Sequence, residues 1–204
     1  MTQETPMNRK ARIFELVQRM GIVRPRDVEA AGIPREYLLR LYRNGELERV
    51  GRGLYTLPDG LTSESLSLAE VAKRVPKAVV CLLSALQFHN VTTQLPHEVW
   101  IAIEGTSWKP GINYPSLQVM RFSGQAFSFG IEEHKVSNVR VKVYSPAKTV
   151  ADCFKFRNKI GLDVALEALR ETWRIRRATM DELWGAAKVC RVANVMRPYL
   201  EGVV

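Results

Sequence analysis

Glycine punctuation in the first 58 residues constrains the fold of this chain more than any other feature. Ile13, Leu16, Val17 and Met20 recur at helical spacing within residues 8–20, and Gly21 stops the run. A short second helix is predicted for Arg24–Ala31, with Pro25 in its first turn and Val28 facing inward. Gly32 breaks it where a left-handed residue belongs. Pro34 opens a third helix, which runs to the stop signal Asn44-Gly45. Two β-prone runs, Leu47–Val50 and Leu54–Leu57, then flank Gly51-Arg52-Gly53 and predict a hairpin. This order of helices and hairpin is that of a winged helix-turn-helix.

The third helix sets the expectation for function. At about 100° per residue, Pro34, Leu38, Leu41 and Tyr42 share a face that must pack inward. Glu36, Arg40 and Arg43 point nearly the opposite way, with Tyr37, Leu39 and Asn44 at the flanks. A DNA-recognition helix needs such an apolar back and a front with bidentate donors. Arg49 and Arg52 fall on or near the hairpin tip, where a wing meets phosphates or the minor groove, and Gly51 and Gly53 permit close approach there. Arg24 and Arg26 stand at the positive end of the second helix. The candidate DNA-contact set is therefore Arg24, Arg26, Arg35, Glu36, Tyr37, Arg40, Arg43, Arg49 and Arg52. The competing readings are an ordinary solvated surface and a winged helix that serves as a protein-interaction module.

Charge permits a polyanionic partner without locating it. The chain carries 30 basic and 21 acidic residues, net +9. Residues 1–60, 61–149 and 150–204 each carry +3, so balance alone singles out no region. The type of base is more telling: up to residue 60 every base except Lys10 is Arg, the better fork for phosphate and guanine edges.

Cys81, Cys153 and Cys190 are too few and too far apart for a disulfide framework or a zinc site, and read as reduced thiols. The longest apolar run, Ala78–Leu83, is far short of the ~20 residues that span a bilayer. Nothing resembles a signal peptide, which predicts a soluble, cytoplasmic protein with no membrane partner.

Pro58-Asp59-Gly60 marks a predicted boundary between a 1–60 DNA-binding domain and a 61–204 domain. In the second part, helices are predicted near 63–75, capped by Thr62 or Ser63, and 77–89. Strands follow at 98–103, 117–122, 127–136 and 139–144, with Ser137-Asn138 as a hairpin turn. Ser145-Pro146 opens a helix to about 157, and helices near 162–175, 179–190 and 192–200 finish the chain. Leu162, Leu166, Leu169 and Trp173 form one apolar stripe. The predicted class is α+β: a winged helix-turn-helix, then helices around a small, mainly antiparallel sheet.

Residues 21–58, GIVRPRDVEAAGIPREYLLRLYRNGELERVGRGLYTLP, resemble the AbiEi antitoxin family of abortive-infection toxin–antitoxin operons. So do residues 79–103 (VVCLLSALQFHNVTTQLPHEVWIAI), 129–136 (FGIEEHKV), 141–169 (VKVYSPAKTVADCFKFRNKIGLDVALEAL) and 191–200 (RVANVMRPYL). The resemblance implies a winged-helix domain that binds operator DNA and represses its own operon. It also implies a C-terminal domain that counteracts a nucleotidyltransferase-like toxin without a stable complex. The loop at 104–115 departs from the expected pattern, with Lys109 as its only base. Reading a few base pairs per module predicts an operator of two inverted half-sites.

Catalytic signals are sparse. His89, His97 and His134 have no metal-ligand spacing, and Ser84 lies about 140° from His89 around a helix. Glu133-His134-Lys135 fits the E-x-K strand of a metal-dependent nuclease, with Glu104 as a second carboxylate. Such a pattern is common by chance. Lys148-Thr149 lacks the glycines of a phosphate-binding loop. Lys155, Arg157 and Lys159, with Arg174, Arg176 and Arg177, form either a second polyanion surface or ordinary solvated faces. The expectation is a non-enzymatic antitoxin and autorepressor with no cofactor, metal or catalytic residue. The alternatives are a winged-helix transcription factor with a ligand-sensing C-terminal domain, and a metal-dependent nuclease or toxin-modifying enzyme.

Overall fold

The computed structural model of the chain describes residues 7–58, 63–112 and 114–203. Asp59, Gly60 and Thr62, which carry the predicted boundary and one predicted helix cap, lie outside them. The described residues pack as two compact units. One falls within Met1–Pro76 and Lys135–Val141, the other within Lys77–His134 and Lys142–Val204.

In the first unit α1 (Met7–Met20), α2 (Pro25–Ala30) and α3 (Arg35–Arg43) precede the hairpin β1 (Glu48–Gly51) and β2 (Leu54–Thr56). The glycine stops operate as the sequence predicts. Gly32 and Gly45 take positive φ of 75° and 74°. The amides after them, of Ile33 and Glu46, reach back to the carbonyls of Val28 and Leu41 and close both helix ends. Val23 exchanges two 2.9 Å backbone hydrogen bonds with Tyr55, which ties the α1–α2 connection to the wing. Ile13, Val17, Val28, Ile33, Leu38, Leu41 and Leu47 form the core between these elements. Burial of such side chains contributes about 1.5–3 kcal/mol each.

The inner face of α3 is narrower than its periodicity suggests. Leu38 and Leu41 are buried, but Pro34 is exposed at the N-cap and Tyr42 is 39% exposed, resting edge-on against Tyr55. A nine-residue helix closed by Ile33 and Leu47 needs only two deep anchors. Helix α4 (Ser63–Arg74) packs on β1, where Gly51 has a specific task. A Cβ there would lie 2.2 Å from Oε1 of the buried Glu70, whose carboxylate pairs with Arg74 at 3.2 Å.

The second unit is organised by a five-stranded sheet of order β5-β4-β3-β7-β6, of which only the β6–β7 tip, Lys135–Val141, is grouped with the first unit. Its strands are β3 (Val79–Val80), β4 (Val99–Glu104), β5 (Leu117–Phe122), β6 (Ile131–Val136) and β7 (Val139–Tyr144). The α+β class holds. The mainly antiparallel pairing does not, because β4–β5 and β3–β7 run parallel while β3–β4 runs antiparallel. The connection 105–116 is long enough to carry the chain back across the sheet, which is what a parallel neighbour requires. The β6–β7 turn is as read: Ser137 and Asn138 both have positive φ, 51° and 62°, as a two-residue hairpin loop demands.

Two elements differ from the sequence reading. Val79-Val80, predicted as helix, is the short central strand, buried between β4 and β7. β-branched residues covered on both faces favour this outcome. The predicted strand 127–136 begins instead with a helical turn, α6 (Gln125–Ser128), and Gly130 at φ 69° redirects the chain into β6.

Helices α5 (Leu82–Phe88), α7 (Pro146–Lys155), α8 (Arg157–Ile160), α9 (Leu162–Arg174), α10 (Met180–Val189) and α11 (Ala193–Val203) complete the unit. Every residue of α7 from Pro146 to Phe154 is buried, so α7 is the axis of the core rather than an amphipathic surface helix. The α9 stripe is rotated from its expected position. Val164, Ala165, Ala168, Leu169 and Thr172 are buried, while Leu162 is exposed and Leu166 and Trp173 only half-covered. Two alanines on this face let α9 sit close to α7, which moves the larger side chains to the flanks.

Candidate nucleic-acid interface

Helix α3 presents Arg35, Glu36, Arg40 and Arg43 to solvent, with Glu36, Arg40 and Arg43 on the side away from Leu38 and Leu41. Arg35 and Glu36 pair at 3.6 Å through largely exposed groups, so the pair adds little stability and is free to rearrange. Arg40 stacks over the Tyr37 ring, its guanidinium carbon 4.7 Å from the centroid. Arg9 on α1 donates a 2.9 Å hydrogen bond from Nη1 to the Tyr37 hydroxyl and covers the same ring at 5.2 Å. Tyr37 is thus fixed from α1 and in turn orients Arg40. Arg9 is a residue the sequence reading missed. It lies 28 positions from Tyr37, and no local pattern links the two.

On the wing, Arg49 and Arg52 are exposed. Arg49 Nε donates to the Gly51 carbonyl at 3.1 Å, and Gly53 takes φ 70° at the turn. Arg52 and, on α3, Arg43 form no ion pair or hydrogen bond among the described residues. The start of α2 differs from expectation. The Asp27 carboxylate accepts the Arg24 amide at 2.9 Å and lies 3.9 Å from Arg26, so this end is already supplied with a negative group. Partial burial, then the neighbouring Arg26, lowers the Arg24 pKa. Burial, opposed by Asp27 and reinforced by Arg24 and Arg26, lowers that of Lys73 on α4. Arg24 and Arg26 therefore belong to a cluster around Asp27, distinct from the open face of α3 and the wing.

Residues 11–58 match the model of a family described as "Transcriptional regulator, AbiEi antitoxin". This segment is similar to the AbiEi antitoxin family. It coincides with the span from α1 through the wing, and so contains every candidate DNA-contact residue. The RV2827C protein from Mycobacterium tuberculosis has a similar fold in its crystal structure. Its TM-score is 0.59 at 13% identity, over 99% of this chain and 82% of that one. No curated protein matches the sequence.

The AbiEi match ends at residue 58, so chemistry in the second unit rests on geometry alone. Glu104 ends β4 and Glu133 lies on β6, with β3 and β7 between those strands. Three strand spacings of about 4.8 Å hold the two carboxylates too far apart to share a metal ion. Among the described residues no cluster of three His, Cys, Asp or Glu can hold a metal. Ser84 Oγ accepts the Trp100 amide at 2.9 Å, and His89 Nε2 lies 2.7 Å from the Tyr144 carbonyl oxygen, so each ties a helix to a strand. Lys148 is completely buried, its Nζ 2.5 Å from Asp152 and 4.2 Å from the Tyr144 ring centroid. It supports α7 from within and holds no phosphate. Arg174 is occupied by Glu171, and Lys159 lies over Trp100 with Nζ 3.5 Å from Met120 Sδ, as on ordinary helix surfaces. Among the described residues no helix is long and apolar enough to cross a membrane.

His89 gives this unit a pH dependence. Burial is the largest influence on its imidazole and lowers its pKa; the Tyr144 carbonyl and Glu132 oppose this, while His134 and Arg177 reinforce it. The unfolded chain therefore binds the proton first. The contribution of neutral His89 is full above its ordinary value of 6.5 and is lost as pH falls toward the lower folded value. Thermal melts from pH 8 to pH 5 should show a falling midpoint, with a shallower slope in His89→Gln. An unchanged slope in the variant would remove His89 as the cause.

Proposed function

We propose that the chain is an autoregulating antitoxin. Helix α3 and the wing bind operator DNA and repress the chain's own operon, and the second unit counteracts a nucleotidyltransferase-like toxin inside the cell. The observation that carries this reading is the open Arg40–Arg43 face of α3 together with the exposed Arg49 and Arg52 of the wing, within the segment similar to AbiEi. Arg35, Glu36 and Tyr37 complete the groove-facing helix, and Arg24 and Arg26, in their separate cluster around Asp27, are assigned as outlying phosphate contacts. A nine-residue helix spans few base pairs, which favours an operator with two inverted half-sites. The separate core of the second unit supports a division of labour between the two units.

The test pairs a promoter-reporter assay with toxicity rescue by the full chain expressed from a foreign promoter. Arg40→Ala with Arg43→Ala should derepress the operon and leave rescue intact. Loss of rescue together with repression would show that protection requires DNA binding, contrary to this division.

A further inference from the structure

A cleft of 380 Å³ opens in the second unit where the start of α7 meets the start of α10 and the Phe129 end of the α6–β6 connection. All of its lining residues belong to the second unit, and the proposed antitoxin function does not use it. Its volume falls in the range of small-molecule sites.

The wall is apolar, formed by Phe129, which is 39% exposed, with Pro146, Ala147 and Ala178. Four charged side chains line it, and two of these are committed elsewhere. Glu132 accepts from or pairs with His134 at 3.1 Å, and Glu182 closes the α10 capping box with Thr179. The other two, Arg177 and Asp181, are exposed and form no side-chain hydrogen bond or ion pair among the described residues, not even with each other. One exposed cation and one exposed anion, neither held by a protein partner among the described residues, thus line the cleft beside its apolar wall. The start of α7 adds a donor beside them. Pro146 has no amide hydrogen and the Lys148 amide is taken by Ser145 Oγ at 3.3 Å, so Ala147 supplies the first uncommitted N–H.

We propose that this cleft binds a small zwitterion of the α-amino-acid class with an apolar side chain. Arg177 and the Ala147 amide receive the carboxylate, Asp181 receives the ammonium, and Phe129, Pro146 and Ala178 cover the side chain. A purely anionic ligand would meet the carboxylates of Glu132, Asp181 and Glu182, and a purely cationic one would face Arg177, so the lining fits a ligand that carries both charges. The proposal is independent of the antitoxin reading.

The experiment is calorimetric titration of the full chain with L-leucine and L-phenylalanine, beside 3-phenylpropionate and phenethylamine, which each lack one charge. At least one of the two amino acids should bind, and both stripped analogues should bind roughly tenfold or more weakly, the loss of one charge-assisted contact. Arg177→Gln and Asp181→Asn should each weaken amino-acid binding by roughly the same factor. Gly185→Leu serves as a blocking variant: a Cβ at Gly185 meets nothing within 4 Å, so the helix accepts a side chain there that fills the cleft. It should abolish binding with an unchanged circular dichroism spectrum. Absence of binding by both amino acids, equal binding by either stripped analogue, or binding that survives Gly185→Leu would each overturn the proposal.

Discussion

Asp152→Ala should destabilise the second unit by about 3–5 kcal/mol, because it strands a buried ammonium group. Lys148 and Asp152 are 0% and 1% exposed on the fully buried helix α7, one turn apart with Nζ and Oδ2 at 2.5 Å. The ammonium also lies over the rings of Phe122 and Tyr144, and the second carboxylate oxygen accepts the Cys190 thiol at 3.3 Å. Desolvation is the largest influence on Asp152 and raises its pKa, while Lys148 and then Cys190 pull it down. Burial thus outweighs attraction, so the pair orders the core more than it strengthens it. Replacing both members, Lys148→Met with Asp152→Leu, should recover most of the loss from either single change. Lys148→Met alone should show a penalty that shrinks in acid. A carboxyl with a raised folded pKa contributes its stability below the unfolded value and loses it as pH rises through the folded one. Urea unfolding of the four proteins at two pH values decides this. A single variant costing under about 1 kcal/mol would contradict the role given to the pair.

Arg40→Ala with Arg43→Ala should weaken specific operator binding by about 2–5 kcal/mol, roughly 30- to 5,000-fold. Each arginine offers a two-pronged donor on the open side of α3, and Tyr37 holds Arg40 in position. The residues are three apart on one helix face, so their effects need not add. Arg52→Ala should behave differently. An exposed wing arginine without a protein partner contributes a phosphate contact, so its loss should weaken all duplexes alike and reduce the salt slope by about 0.9.

The first unit was legible because its signals are local. Gly32, Gly45 and Gly53 each occupy the positive-φ position that the sequence reserved for them, and Val28, Leu38 and Leu41 point where the helical period puts them. What escaped was set by distant partners. Two valines are too few for a periodic signal, so Val79-Val80 became a central strand through β4 and β7 rather than through propensity. The parallel β4–β5 pairing depends on the path of a loop with no pattern of its own. On α7 the spacing of Lys148 and Asp152 is visible in the sequence, but it looks like a surface pair; only the helices packed around it make the pair buried. The candidate contact face of α3 was readable residue by residue, whereas Arg9 and the Arg177–Asp181 cleft arise where elements meet.

The central claim is that α3 reads base sequence while the wing holds the backbone. Fluorescence anisotropy of the full chain on its own promoter fragment and on a scrambled duplex, across several salt concentrations, tests it most directly. The unmodified chain should prefer the promoter, and that preference should collapse in the Arg40→Ala, Arg43→Ala variant. In Arg52→Ala the salt dependence should be shallower and the preference retained. Equal affinity of the unmodified chain for both duplexes, or an undiminished preference in the double variant, would contradict it.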